Sequence, residues 1–170
     1  LARIEAFQVA AGEITPELLT ELARTSVPPT MRVKLALDPA LPTLLGHYDP
    51  LRRAFGNIVR NAVEACDAQG EIEVGARAED GGVRVEIRDH GPGVPPDVMD
   101  RIFSPFFTTK PQGTGLGLAI VRKIVNAHDG RIDVVVGEHG GTSFRVTLPI
   151  VAARDVASPF AGDSWALTGS

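Results

Sequence analysis

The chain has 170 residues, which suits one domain of ordinary size with a single core. Its 44% hydrophobic and 22% charged residues are a globular composition, and its apolar runs are too short to cross a bilayer, so no membrane contact by this chain is expected. A net charge of −4 offers no clustered basic footprint and excludes nucleic acid as an electrostatically favoured partner.

The single cysteine, Cys66, has no internal disulfide partner and lies in a helical pattern. It reads as a core thiol in a reducing compartment, so a cytoplasmic location is expected. The chain begins with Leu1 and lacks the regions of a secretion signal, so it is expected to be a piece of a longer protein.

Residues 1–13 read as the end of an upstream helix or a linker, with Leu1, Ile4 and Phe7 at helical spacing. Thr15, Pro16 and Glu17 supply a cap, a first-turn proline and an early acid, which predicts a helix from Thr15 to about Thr25 with Leu18, Leu19 and Leu22 inward. Pro28 and Pro29 end it. Val33, Leu35 and Leu37 then alternate with polar neighbours as a half-buried strand, and residues 39–48 read as a loop.

Asp49 and Pro50 open the longest helical pattern, with Leu51, Phe55, Ile58, Val59, Ala62 and Cys66 on one face and an expected end near Gly70. Two alternating runs joined by EDGG predict a hairpin. A helix from Gly117 to about His128 follows, then a second strand pair joined by EHGG. These elements predict an α/β (α+β) fold, a two-layer sandwich whose mixed, mostly antiparallel sheet is covered on one face by helices. Residues 151–170 lose periodicity and gather Pro, Gly, Ser and Asp around Trp165, the composition of a disordered tail.

The stretch IFSPFFTTKPQGTGLGL, residues 102–118, carries the first chemical signal. Gly113, Gly115 and Gly117 stand where the next helix begins, and a helix start with close backbone approach suits phosphate. It is neither a Walker loop, which needs GxxxxGK and then Ser or Thr, nor a dinucleotide fingerprint, since Leu118 stands sixth from Gly113 and PQ precedes the run.

Asn57 and Asn61 lie one turn apart on an edge of the long helix. Amide oxygens can ligate Mg²⁺ beside phosphates and water; the same pair can equally solvate a helix edge. Asp89 ends a strand and precedes HGPGV. A carboxylate there can accept from the amine of a base, with Gly91 and Gly93 letting a ring lie against the backbone; DHGPG also makes an ordinary turn.

Taken together and in this order, NIVRNAVEA, DHGPG, IFSPFFTTK, GTGLGL and GGTSFRVTLP resemble the N, G1, F and G2 boxes and closing strand motif of the catalytic, ATP-binding domain of sensor histidine kinases. The resemblance covers most of residues 49–148. It implies the Bergerat-type ATP-binding sandwich shared with gyrase, Hsp90 and MutL, placed here over residues 14–150. It also implies ATP and Mg²⁺ as cofactors, with Asn61 on the metal and Asn57 on phosphates or metal-bound water. Asp89 would bind the adenine amine, Gly91, Gly93 and Val94 would shape the base pocket, and Thr142 would close it. Lys110, Gly113, Thr114, Gly115, Leu116 and Gly117 would surround the phosphates, with Asn57, Asn61 and Lys110 counted as catalytic.

NAVEA, with Glu64 where other branches often carry Lys, is similar to the nitrogen-sensor branch. The partners implied are the kinase's own histidine-bearing dimerisation domain, absent from this chain, and the receiver domain of a response regulator. The full-length protein is expected to be a homodimer, with or without a membrane anchor. The alternatives are a conformational ATPase and an anti-sigma serine kinase or binding module of the same superfamily. His47, His90, His128 and His139 all lie outside an N-terminal helix; His90 is expected in the base pocket, and His128 at a helix C-terminus near the negative end of its dipole.

Overall fold

A computed structural model of the protein describes residues 12–109, 113 and 115–150. The expected upstream helix, the tail with Trp165, and the site candidates Lys110 and Thr114 lie outside the described residues.

Five strands form the main sheet: β2 (Met31–Leu37), β4 (Gly70–Glu79), β5 (Gly82–Asp89), β6 (Arg131–Val136) and β7 (Thr142–Pro149), in the spatial order β2-β4-β5-β7-β6. β2 runs parallel to β4, and the other pairs are antiparallel. The β4–β5 hairpin turns on Asp80 and Gly81, at φ of 30° and 80°. Two positive-φ residues match the right-handed twist of the strands they join, so an Asp-Gly pair favours this turn.

Alternation separates the two faces of the sheet. Ile72, Val74 and Ala76 on β4, Val83, Val85 and Ile87 on β5, and Phe144, Val146 and Leu148 on β7 are buried beneath the helices. The opposite face carries ion pairs, among them Arg32–Glu71, Lys34–Glu73, Arg84–Glu79 and Arg145–Glu86. The Arg32 and Lys34 pairs, with exposed cations, contribute little each and keep the open face solvated, whereas Arg84 and Arg145 are half-buried against the sheet. On the edge strand β2, Val33 and Leu37 are half-buried as expected, but Leu35 is exposed.

The helical layer contains α1 (Glu17–Ser26), α2 (Tyr48–Ala65) and α3 (Gly117–Ala127). Leu51, Phe55, Ile58, Val59 and Ala62 of α2 meet Ile120, Val121, Ile124 and Val125 of α3 in one core. Removing such side chains costs about 2–5 kcal/mol each.

Four local expectations differ from the structure. Thr15 makes no cap: Pro16 holds the N-cap position, and the Thr15 side chain instead hydrogen-bonds the Glu17 carboxylate, which lowers the pKa of that exposed acid. Residues 39–48 contain β3 (Leu44–Gly46), which pairs antiparallel with β1 (Gly12–Ile14). Strands of three residues are too short to show alternation.

The long helix ends at Ala65, well before Gly70. Asp67 and Ala68 take left-handed φ of 51° and 55°, and the Ala68 amide bonds back to the Val63 carbonyl, a Schellman-type stop without glycine. Finally, His90 lies on the other side of the sheet from Asp89, around which the base pocket is expected. Strand alternation turns it to the open face, where its ring lies close to the carboxylates of Glu71 and Glu73.

Candidate functional site

Asp89 is the fixed point of the site. It is the last residue of β5, paired with Thr142 at the start of β7, and is only 2% exposed. Its Oδ1 accepts from the Gly91 amide at 2.9 Å and the Thr142 amide at 3.3 Å. Burial pushes the Asp89 carboxyl above its usual range, against the opposing pull of these two amides and the charge of His90.

Glycines hold the loops around Asp89 in place. The Gly141 amide donates to the Gly91 carbonyl at 2.7 Å, which ties the DHGPG loop to the β6–β7 turn. A Cβ on Gly91 would come within 2.6 Å of the Ala65 carbonyl oxygen at the end of α2. Gly93 combines a φ of +85° with a Cβ position 2.9 Å from Val136 Cγ1. Gly141 and Ala65 thus belong to the frame of the site, although sequence reasoning did not single them out. The GG pair of EHGG was the available signal.

Asn57 and Asn61 are half-buried on α2, as their spacing predicts. Asn57 Nδ2 donates to the Gly117 carbonyl at 3.3 Å, joining α2 to the first residue of α3. Because a carbonyl only accepts, this contact fixes the amide orientation and leaves Oδ1 as the acceptor end of Asn57. At Gly117 an added Cβ would meet no atom of the described residues within 4 Å, and its φ is helical. Leu116, the N-cap residue, packs against the core and anchors that start, Val94 is half-buried, and Gly113 is exposed.

The aromatics of residues 102–107 divide into separate roles. Phe103 packs edge-on against Phe144, ring centroids 6.5 Å apart, with Arg122 over its outer face. Phe107 lies under the Arg101 guanidinium. Phe106 points outward, 78% exposed, at a left-handed φ of 67°.

The strands and helices therefore bring Asp89, Gly91, Gly93 and Thr142 together at one end of the sandwich, beside the α2 C-terminus. Asn57 and Gly117 meet at the α2–α3 junction. An apolar cavity of about 30 Å³, lined by Ile14, Leu18, Leu44, Val83 and Leu148 among others, lies toward the opposite ends of the strands. Its lining is almost wholly apolar, which does not suit a charged nucleotide.

The sandwich topology, with a buried carboxylate in a glycine-built loop and Asn57 joined to the start of α3, is that of an ATPase-class domain. The family model described as "Histidine kinase-, DNA gyrase B-, and HSP90-like ATPase" matches residues 46–152, and the chain belongs to that family. Within it, the chain is similar to the sensory histidine kinase/phosphatase NtrB of Rhodobacter capsulatus, 42% identical over 126 residues that cover 66% of this chain and 35% of NtrB. The sensor histidine kinase ZraS of Escherichia coli K12 is 37% identical over 124 residues, 73% of this chain and 27% of ZraS. The chain thus spans about a third of the length of the curated relatives it matches.

Solved structures agree with this placement. The catalytic domain of histidine kinase ThkA superposes with a TM-score of 0.72 at 32% identity, covering 82% of this chain and 95% of that domain. Full-length ShkA in complex with AMPPNP gives 0.76 at 32% identity, covering 91% of this chain and 33% of ShkA. The fold is the histidine kinase catalytic domain, a mixed sandwich as expected from the sequence.

Proposed function

We propose that residues 14–150 bind Mg²⁺–ATP and transfer its γ-phosphoryl group to a histidine carried on a separate dimerisation domain, for relay to the receiver domain of a response regulator. Asp89 is the observation that carries this reading. A buried carboxylate held by two backbone amides is costly for folding alone, but it suits recognition of an exocyclic amine. Gly91, Gly93, Val94 and Thr142 then form the walls of the base site.

The residues present fit the metal and the nucleotide. Asn61 supplies a hard, neutral amide oxygen for Mg²⁺, and the Asn57 Oδ1 can accept from a metal-bound water. When bound, Mg²⁺ neutralises charge on the phosphates and so makes the γ-phosphorus more open to attack. Gly113, Thr114, Gly115, Leu116 and Gly117 would meet the phosphates through their amides, and Lys110 would add a cation.

Asn57 also disfavours the conformational-ATPase alternative. Hydrolysing relatives of the superfamily resemblance carry Glu at this position, and an amide cannot take a proton from water at neutral pH. Transfer to a supplied acceptor is the reading that remains. No described helix is long and apolar enough to cross a membrane. A cytoplasmic domain of a homodimeric kinase fits the proposal.

Titration of the chain with a fluorescent ATP analogue tests the binding step. Saturable, Mg²⁺-dependent binding that ATP displaces and GTP does not supports it. Equal displacement by GTP contradicts the role given to Asp89.

A further inference from the structure

His47 and His128 meet at the far end of the helical layer, outside the nucleotide site. His47 is 2% exposed and joins β3 to α2; His128 follows the last residue of α3. Their rings lie edge to face with centroids 5.4 Å apart. His128 Nε2 accepts from the His47 backbone amide at 3.0 Å, and its Nδ1 lies 2.8 Å from the Ile124 carbonyl.

These contacts define one protonation state. A carbonyl cannot donate, so Nδ1 must carry the hydrogen, and Nε2 must be bare to accept from an amide. A second proton on the ring would put an N–H against the N–H of His47. His128 thus caps the Ile124 carbonyl at the C-terminus of α3 as a neutral imidazole. Burial lowers its pKa, and the charge of His47 acts in the same direction. The Ile124 hydrogen bond and Asp129 oppose them.

The position of the pair gives this chemistry a consequence. β3 pairs with β1, through which the chain enters the domain, while α3 begins at Gly117 beside the proposed phosphate site. Close packing leaves no slack: a Cβ on Gly46 would lie within 3.3 Å of two atoms of the His128 ring. We propose that His47 and His128 form a proton-sensitive clip that fastens the paired strands β1 and β3 to α3 and opens when His128 takes up a proton. The opened clip loosens α3 and weakens nucleotide binding, a consequence that rests on the function proposed above.

Ring NMR of the whole chain tests the clip independently of any nucleotide. The expected result is the Nδ1–H tautomer of His128 at pH 7.5, with ring protonation below the usual histidine range and simultaneous loss of the native His47 amide resonance. In His47→Asn the ring should titrate at higher pH than in the wild type. An Nε2–H tautomer, an ordinary His128 titration or an unmoved His47 amide would each overturn the clip. Nucleotide titration then tests the coupling. Relative to His128→Gln at the same pH, wild-type affinity should fall about twofold by the pH at which the His128 ring is half-protonated, and further below it. Parallel affinities overturn the coupling. If neither protein binds nucleotide, the reading of the site has failed, while the ring titration still decides the clip.

Discussion

Phe106 and Gly115 interlock through their backbones. The Phe106 amide donates to the Gly115 carbonyl at 2.9 Å, and a Cβ on Gly115 would lie 2.6 Å from Phe106 Cα. Both residues have positive φ, 67° and 72°. This contact fastens the aromatic turn to Gly115, two residues before α3.

Gly115→Ala should break that contact. Strain of about 1–3 kcal/mol at the positive φ, added to the clash, is comparable with a tenfold or larger loss of affinity. Isothermal titration with an ATP analogue should show the loss while the far-UV spectrum stays native. Wild-type affinity in Gly115→Ala would show that the interlock is irrelevant to binding.

Phe103 and Phe106 should respond differently to truncation. Phe103 packs on Phe144 at the edge of the core, so Phe103→Ala should lower stability by about 2–4 kcal/mol, read by urea unfolding. Phe106 is exposed and presented outward. Phe106→Ala should leave stability within about 0.5 kcal/mol and nucleotide affinity unchanged, yet reduce phosphoryl transfer to an added histidine domain. If affinity collapses instead, Phe106 serves the nucleotide and not the partner.

Asp89→Asn should separate stability from function. The folded pKa of Asp89 is raised, so ionising it costs folding stability as pH rises from the usual carboxylate value through the raised one. Above that window the cost is complete, and below it the cost vanishes. Asn keeps an oxygen for the Gly91 and Thr142 amides and carries no charge, so at pH 8 the variant should melt at or above the wild-type temperature. Base recognition should fall at least about tenfold, because an acceptor facing the amine has been replaced by a donor. A variant that melts well below wild type at pH 8 contradicts the desolvation argument.

The sequence made the sandwich legible because its strands alternate cleanly and its turns carry glycine where positive φ is needed. The Asp80–Gly81 turn is one such case. The motif order on α2, β5 and α3 likewise placed Asn57, Asp89 and Gly117 on elements that converge. Other features left no one-dimensional trace. β1 and β3 are three residues each, and the left-handed stop of α2 includes Ala68, a residue type that does not announce one. The faces of His90 and His128 depend on register and packing: one residue past Asp89, alternation turns His90 away from the base site.

Ala68→Gly follows from that helix stop. Ala68 holds φ at 55°, where a side chain is unfavourable by about 1 kcal/mol and glycine is not. The substitution should raise the melting temperature by about 3 °C, checked by calorimetry. An unchanged or lower midpoint would mean that the added freedom of the unfolded chain outweighs the relief.

Phosphoryl transfer tests the central claim most directly. The chain is incubated with Mg²⁺ and γ-³²P-labelled ATP, alone and with a purified dimerisation domain bearing the acceptor histidine from a kinase of this family. The account predicts no label on the chain in either case, slow release of free phosphate, and acid-labile label on the added domain that Asn61→Ala abolishes. Label on the chain by itself, or steady ATP hydrolysis without transfer, would contradict it.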